Sequence, residues 1–324
     1  MKITNTLLID GNALFKVGFF GAKGEYNFKG EHIGGIYQFL TVLRKLMNEE
    51  LYHKIFVFWD GKFSGKLRYQ MYSPYKSGRG KDYINGTQPI DADEVREKYI
   101  IFSYLEELCI RQLQHECVES DDFIAYYCKT KEANEMITIC TNDRDMCQLI
   151  DDNVRIYFCD LKNYVAFESY KSYFHHHQHN AALIKTIIGD NSDSIKGIKG
   201  VKEATLLQYF PEIAERKFTL EELLDKARLI QEDRITKKQK PLKVLDNLLN
   251  ATTDGVQGNM IYEINKALVD LKNPLMTPDA IEKIEFLKTA EMNFEGRGIK
   301  NVLAKMKKDG MEAAIGRERY AEYL

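Results

Sequence analysis

The decapeptide TNDRDMCQLI, Thr141–Ile150, directly follows the apolar run MITIC, Met136–Cys140. That run is short, rich in β-branched residues and bounded by polar turn residues, the pattern of a buried strand. The chain then turns at Thr141–Asn142 and enters a short helix carrying Met146, Leu149 and Ile150. Asp143 and Asp145 are thereby delivered to the carboxyl end of a strand, where open α/β sheets gather ligands and metals. An aspartate in that position also serves as an ordinary helix N-cap. Taken alone, the stretch leaves both readings open.

Recurrence of the pattern separates them. Thr6–Ile9 (TLLI) is an apolar strand ending in Asp10, with Gly11 and Asn12 expected as its exit turn. Gly34–Leu51 carries Ile36, Phe39, Leu40 and Leu43 at helical spacing. Ile55–Trp59 (IFVFW) is a continuous apolar strand closing on Asp60 and Gly61. Asp-Gly is common turn chemistry, but three strands ending in carboxylate are more than turns require. Asp93–Leu113 reads as a charged helix whose core stripe is Tyr99, Phe102, Leu105 and Leu108, and Val154–Cys159 as a further strand. Between them, ESDDFIA (Glu119–Ala125) crowds Glu119, Asp121 and Asp122 around Ser120 at a helix start. A Ser N-cap with acids in the first turn suits the helix dipole. Three acids beside Asp10, Asp60 and Asp143 repel one another, which capping does not explain.

Length and composition allow one large or two ordinary domains in 324 residues. The formal net charge of -2 gives no global basic field, so charge has to be read locally. Gly61–Lys81 is such a locality: Lys62, Lys66, Arg68, Lys76, Arg79 and Lys81 alternate with Phe63, Tyr69, Tyr72 and Tyr75, without one acid. Basic groups interleaved with aromatics suit a phosphate backbone and stacked bases. Pro74 and the glycines make the element partly irregular. Six cysteines without a CxxC pair, several inside apolar runs, read as buried thiols of a reducing cytosol. No signal peptide and no membrane-crossing run is found, and the expectation is a soluble, cytoplasmic protein.

Beyond a polar stretch with His175, His176, His177 and His179, expected to be a solvated linker, the chain reads as largely helical. Gly189–Asp193 (GDNSD) brings Asp190 and Asp193 in front of a glycine-rich hairpin carrying Lys196, Gly197, Lys199, Gly200 and Lys202. Glycines let backbone approach phosphate, and a following helix offers free N–H groups. Arg234–Lys243 (RITKKQKPLK) and Arg297–Lys308 are basic and acid-free; as sequence they are either nucleic-acid contacts or solvated faces.

If the fold gathers these acids, so many carboxylates raise one another's pKa and need cations. No lysine or arginine interleaves with the strand ends. Hard divalent ions answer the need, and all-oxygen donors select Mg²⁺ or Mn²⁺ over zinc. Two such ions side by side are a standard arrangement for phosphodiester hydrolysis. There is no Ser/His/Asp arrangement, P-loop or dinucleotide fingerprint.

The series LLIDGNAL, FVFWDG, SPYKSGR, ESDDFIA, TNDRDMCQLI and GDNSDSIKGIKGV resembles, in order and spacing, the 5′-nuclease superfamily. That superfamily includes flap endonucleases, polymerase I 5′-nuclease domains and phage 5′→3′ exonucleases. The segment IYEINKALVDLKNPLMTPDAI is similar to its T-even phage RNase H branch. The resemblance implies an α/β PIN-like core with a mostly parallel central sheet over 1–168, including a helical arch at about 61–98. It further implies a helical C-terminal DNA-binding region over 169–324 with a helix-three-turn-helix element at about 183–210. Asp10, Asp60, Glu119, Asp121 and Asp143 would hold a first Mg²⁺. Asp145, Asp190 and Asp193 would hold a second, with Asp122 supporting the cluster. Lys76 and Arg79 would steer the scissile phosphate, Lys66, Arg68 and Tyr75 would meet the nucleic acid, and the hairpin would bind duplex around a K⁺ ion. Two positions depart from the family pattern: Lys202 stands at a usual glycine, and Ala204 at a usual lysine. The implied activity is a 5′→3′ exonuclease and flap endonuclease removing RNA primers or flaps, monomeric, with replication proteins such as a single-strand-binding protein as partners. Readings as a PIN-type ribonuclease or a silent junction-binding protein are the alternatives.

Overall fold

In the computed structural model the described residues are 3–21, 25–80, 82, 91–253, 258 and 260–311. The three apolar runs that end in aspartate are adjacent strands of one sheet. β1 (Thr4–Asp10) lies between β2 (Lys54–Asp60) and β4 (Glu135–Thr141); β3 (Arg111–His115) and β5 (Val154–Phe158) flank them. These five are parallel, in the order β3-β2-β1-β4-β5, and β6 (Asn163–Val165) closes the edge antiparallel to β5. The order reverses between β1 and β4, the switch point outside which open sheets keep their sites. Register pairs Asp10 with Phe58 and Ile9 with Cys140, so Asp10, Asp60 and Asp143 emerge at one end.

Alternation along the strands divides the core between two faces. Leu7, Ile9, Val57 and Trp59 point to α1 (Gly11–Gly21), α2 (Gly34–Glu49) and α4 (Ala92–Glu107). Leu8, Phe56, Phe58 and Ile139 point to α5 (Ser120–Lys129). Between β2 and α4 run the short α3 (Lys66–Met71) and a tight turn at Ser77–Arg79. The remainder of the expected arch, 81 and 83–90, lies outside the described residues. A third core gathers α6 (Ala181–Ile188), α7 (Glu203–Tyr209), α8 (Leu220–Thr236) and α9 (Lys243–Leu249) around Ile187, Leu206, Phe210, Leu223 and Leu248. α10 (Met260–Val269) packs on α6, and the two-residue strands β7 (Gly189–Asp190) and β8 (Ile195–Lys196) form the hairpin between α6 and α7.

The last elements return to the sheet. α11 (Pro278–Thr289) lays Ala280 and Ile284 on the α5 face, and α12 (Ile299–Lys308) lays Ile299, Val302 and Met306 on the α4 face. The two sheet-face cores therefore draw side chains from both sides of residue 168, while the third core lies wholly beyond it.

Four local expectations are corrected. Gly11 and Asn12 do not form a turn: α1 starts at Gly11 itself, where any Cβ would strike the Trp59 ring. The charged helix ends at Glu107 rather than Leu113, and Arg111–His115 is the edge strand β3, hidden in sequence because RQLQH carries a single apolar residue. Tyr99 is 75% exposed, because the buried stripe of α4 runs through Glu97, Ile101, Tyr104 and Leu105. Glu97 is tolerated inside by His32 and the Ile36 N–H. The histidine stretch is not a solvated linker: His176 is buried between the Tyr170 hydroxyl, 2.9 Å away, and Glu203, 2.8 Å away.

Candidate active site

At the carboxyl end of the sheet a cleft of about 650 Å³ opens over the β1–β4 switch point. Asp10, Asp60, Glu119, Asp121, Asp143, Asp145, Asp190 and Asp193 all line it, together with Lys76 and Arg79. Each strand-end acid is fixed by local donors. Asp10 accepts from the Ala13 N–H at 3.0 Å and the Thr141 hydroxyl at 3.0 Å. Asp60 accepts from the Ser120 N–H at 2.9 Å. Asp143 accepts from the Asp145 N–H at 2.8 Å. Ser120 is thus not the N-cap of α5, a position that Glu119 occupies; its N–H and hydroxyl instead serve Asp60 and Asp10.

Burial, reinforced by the Asp60 and Asp143 charges, pushes the Asp10 carboxyl up to about 6. Asp121 is raised well above the usual carboxylate range, by burial first and then by Asp10, Asp143, Asp60 and Glu119. Every charge acting on Asp121 in that account is repulsive. Burial and Asp143 raise Asp145 to about 7, although Lys185 opposes them.

Glu119, Asp145, Asp190 and Asp193 have cationic partners. Burial alone would raise Glu119, but Lys76 and Arg68 more than reverse this and hold it at about 2. Lys185 reaches Asp145 at 2.9 Å and Asp190 at 2.6 Å. Arg79 meets Asp193 at 2.5 Å, and Lys76 stands 3.9 Å from it. The Lys76 N–H also donates to the Asp193 carbonyl at 2.8 Å, so the base of the arch is tied to the hairpin loop.

This donor set suits a hard cation: carboxylate oxygens only, several with their pKa raised by burial and by one another's charge. Among the described residues no three acids, imidazoles or thiols form a ready-made metal cage. The strand ends supply donor chemistry and negative charge, and a bound ion would draw the side chains together.

The sequence model of the 5′-3′ exonuclease N-terminal resolvase-like domain matches residues 5–178, more than half of the chain. The chain belongs to the 5′-3′ exonuclease family. Among its relatives is DNA polymerase I of Thermus thermophilus, 29% identical over 236 residues, which cover 72% of this chain and 26% of the polymerase. Another is the 5′-3′ exonuclease of Mycoplasmopsis pulmonis, 30% identical over 203 residues, covering 62% of this chain and 64% of that protein. The chain thus spans about a quarter of the polymerase relatives it matches. Its fold is similar to bacteriophage T5 5′-exonuclease, solved with zinc ions bound, with a TM-score of 0.60 at 19% identity over 96% of this chain and 99% of that one. A bacteriophage T5 flap endonuclease solved with DNA and metal ions gives 0.59 at 20% identity, over 96% and 100%. These relatives carry the family and do not select its T-even branch.

Within this exonuclease-family fold, two residues expected on nucleic acid lie elsewhere. Arg68 is 5% exposed and forks onto Asp122, bonds Glu119 at 2.6 Å and donates from Nε to the Leu268 carbonyl. It neutralises acids and cannot present its guanidinium to a strand. Tyr75 is 3% exposed, with its hydroxyl on Glu119 at 3.0 Å, and offers no face for stacking a base. Among the described residues no lysine or arginine is bonded to the strand-end acids Asp10, Asp60 and Asp143, whereas Arg68, Lys76, Arg79 and Lys185 neutralise the neighbouring acids from distant positions. Lys185 escaped sequence reading because it sits within the apolar run of α6, with no motif to mark it. Asp122 is buried under Arg68 and the Leu275 N–H, off the cleft.

The hairpin keeps its shape despite its departures. Lys202 is extended (φ −127°), so no glycine is needed there, and the left-handed position falls on Gly200 (φ 78°). Gly197 is where a side chain is forbidden, because a Cβ would meet the Ile188 carbonyl and the Gly189 N–H. Lys196, Lys199 and Lys202 lie on exposed backbone around it, whereas Lys66 is half-buried at the start of α3.

Proposed function

We propose that this chain is a Mg²⁺-dependent 5′→3′ exonuclease and flap endonuclease, acting on duplexes with 5′ flaps or ends, RNA primers included. The observation that carries the reading is the cleft at the β1–β4 switch point, in which Asp10, Asp60, Asp121 and Asp143 meet without a bonded cation among the described residues. A pure binding surface gains nothing from concentrating negative charge against phosphate. Asp10, Asp60, Glu119, Asp121 and Asp143 would hold one metal, and Asp145, Asp190 and Asp193 another; Mn²⁺ has the same donor preference. When bound, such ions lower the pKa of an attacking water and offset charge on the phosphate.

The protein's own groups prepare that state. Ser120 and Thr141 hold Asp10, while the Ser120 N–H holds Asp60, so the strand-end oxygens keep fixed positions. Lys76 and Arg79 stand at the edge of the cleft on carboxylates that a metal would claim. With those carboxylates on a metal, Lys76 and Arg79 would be free to direct their charge toward the scissile phosphate. Arg79, with 44% of its side chain exposed, is the outer of the two. Backbone of the hairpin Gly197–Lys202 meets the duplex, with K⁺ as its counterion. Resemblance alone adds that the chain works as a monomer in the cytoplasm beside replication proteins such as a single-strand-binding protein.

The test uses a 5′-labelled flap duplex and an RNA-primed duplex, in Mg²⁺ and in EDTA. Cleavage is expected in Mg²⁺ only, absent in Asp143→Ala, and reduced in Lys76→Ala with duplex binding retained. Wild type that binds the junction and never cuts in Mg²⁺ or Mn²⁺ makes the chain a structure-specific binder. Cutting confined to single-stranded RNA makes it a ribonuclease.

A further inference from the structure

The basic connector between α8 and α9 is built, not loose. Gln231 is 6% exposed and spends both ends of its amide there: Oε1 accepts from the Leu242 N–H at 2.9 Å, and Nε2 donates to the Leu242 carbonyl at 3.0 Å. Arg234 Nε donates to the Lys240 carbonyl at 3.0 Å, and the Gln239 N–H donates to the Arg234 carbonyl at 2.8 Å. Lys238 takes a left-handed conformation (φ 54°), and Pro241 limits the backbone beyond it. A buried amide clamping an exposed turn fixes the positions of its lysines.

That turn is continuous with the hairpin. Lys243 opens α9, and Asn247, four residues on, shares its face. Asn247 Nδ2 donates to the Lys199 carbonyl at 2.9 Å, and the Lys199 N–H donates to the Thr252 carbonyl at 2.8 Å. Leu245 and Leu248 occupy the buried side of the same helix. Contacts therefore lead from the hairpin at Lys199 to Asn247 and, one helical turn earlier on the same face of α9, to Lys243. Four helical residues rise about 6 Å, close to two base-pair steps of about 3.4 Å.

Local acids are accounted for. Asp246 is taken by Gln231 at 2.6 Å and Asp233 by Lys237 at 2.7 Å; Glu232 is the further exposed acid at this end of α8. Among the described residues no carboxylate pairs with Lys238, Lys240 or Lys243, and all three are exposed.

We propose that Lys238, Lys240 and Lys243 form a second phosphate-contact track for duplex DNA, extending the hairpin's footprint along α9 away from the cleft. The inference rests on the nuclease reading above. It makes the connector a ruler for the length of duplex the enzyme holds, separate from the groups that cut.

The test compares wild type with K238Q/K240Q/K243Q on flap duplexes whose downstream arms are about one and about two helical turns long. Each lost phosphate contact lowers the slope of log K against log salt by about 0.9, so the triple variant is expected to lose roughly 2–3 in slope on the longer arm. Single-turnover cleavage at saturating enzyme is expected to stay at the wild-type rate, and melting temperature to be unchanged. A control, K283Q/K300Q/K307Q, removes the same charge from α11 and α12 and is expected to keep the wild-type slope. If the triple variant keeps its slope while wild type cuts, or if the control loses as much, the track is refuted and the nuclease reading stands. If wild type neither binds nor cuts, both fall together.

Discussion

At the strand ends, Asp10, Asp60 and Asp143 are held by hydroxyls and backbone N–H groups, and Asp121 faces them from the first turn of α5; none of the four has a bonded lysine or arginine among the described residues. Across the same cleft, Glu119, Asp145, Asp190 and Asp193 each meet a cationic side chain from α6 or the arch base. The first group stores repulsion that an added cation relieves. The second is already neutralised, so an added cation must displace a lysine or arginine. Under the proposed function, the first group would accept a metal directly and the second would exchange a bonded cation for one.

The largest expected effect falls on the waiting group. Asp121→Asn should lower single-turnover cleavage on the order of 10²–10³-fold, the scale of losing one preorganised charge contact. It should also raise the melting temperature in EDTA, because a repulsive charge has gone. A lowered melting temperature would show that Asp121 is structurally supported and would break the comparison. On the neutralised side, Arg68→Met leaves Glu119 and Asp122 buried without their partner. Urea denaturation should show a loss of about 3–5 kcal/mol, the usual result of removing one member of a buried pair.

Smaller effects sharpen the contrast. Lys185→Met frees Asp145 and Asp190 from their cation. Mn²⁺ titration followed by electron paramagnetic resonance should then show the weaker binding event strengthened roughly tenfold, about 1.4 kcal/mol, with the tighter event unmoved. In EDTA, Asp10 at about 6 and Asp145 at about 7 keep protons that the unfolded chain has already released. Stability should therefore fall as pH rises from about 4 to 7 and level off above that; Mg²⁺ competes with those protons and should flatten the slope. Glu119, held at about 2, works in the opposite sense: its contribution is present above the ordinary carboxylate range and is lost as pH falls toward 2. Melting temperatures across this range with and without Mg²⁺ decide both signs. Least of all, Tyr75→Phe deletes one hydroxyl bond to Glu119 and should cost about 1 kcal/mol in urea denaturation.

The same contrast governs what the sequence reveals. Strand-end acids are legible because their position follows from local facts: an apolar run stops, and a carboxylate stands at the stop. Asp10, Asp60 and Asp143 follow that rule, and the parallel sheet brings all three to the lining of one cleft. The buried role of Arg68 is not legible because its partners are far away in sequence. Arg68 lies 51 residues from Glu119 and looks, in a basic aromatic loop, like a DNA contact. Tyr75 was misread for the same reason, and Lys185 left no signal at all. β3 was missed because an edge strand at the rim needs little apolar surface, and the buried stripe of α4 because it passes through a paired glutamate. Pattern reading finds what hydrophobic periodicity dictates, and fails where ion pairs formed on folding decide the outcome.

The return of α11 and α12 to the sheet has a consequence for synthesis. The strands are complete by residue 165, yet both faces of the sheet await side chains supplied by residues 280–306. Arg111 and His115 on the edge strand likewise bond Ala290 and Asp279 from that return. A nascent chain that has emerged only as far as β6 displays a formed topology with uncovered apolar surface, the kind of species that aggregates or recruits chaperones. A ribosome stalled near residue 250 should hold a protease-sensitive chain, and one that has released residue 311 a resistant one. The acids of the cleft would be assembled at the same moment as the core beneath them, so the acidic cleft is not complete before residues 280–306 have been added.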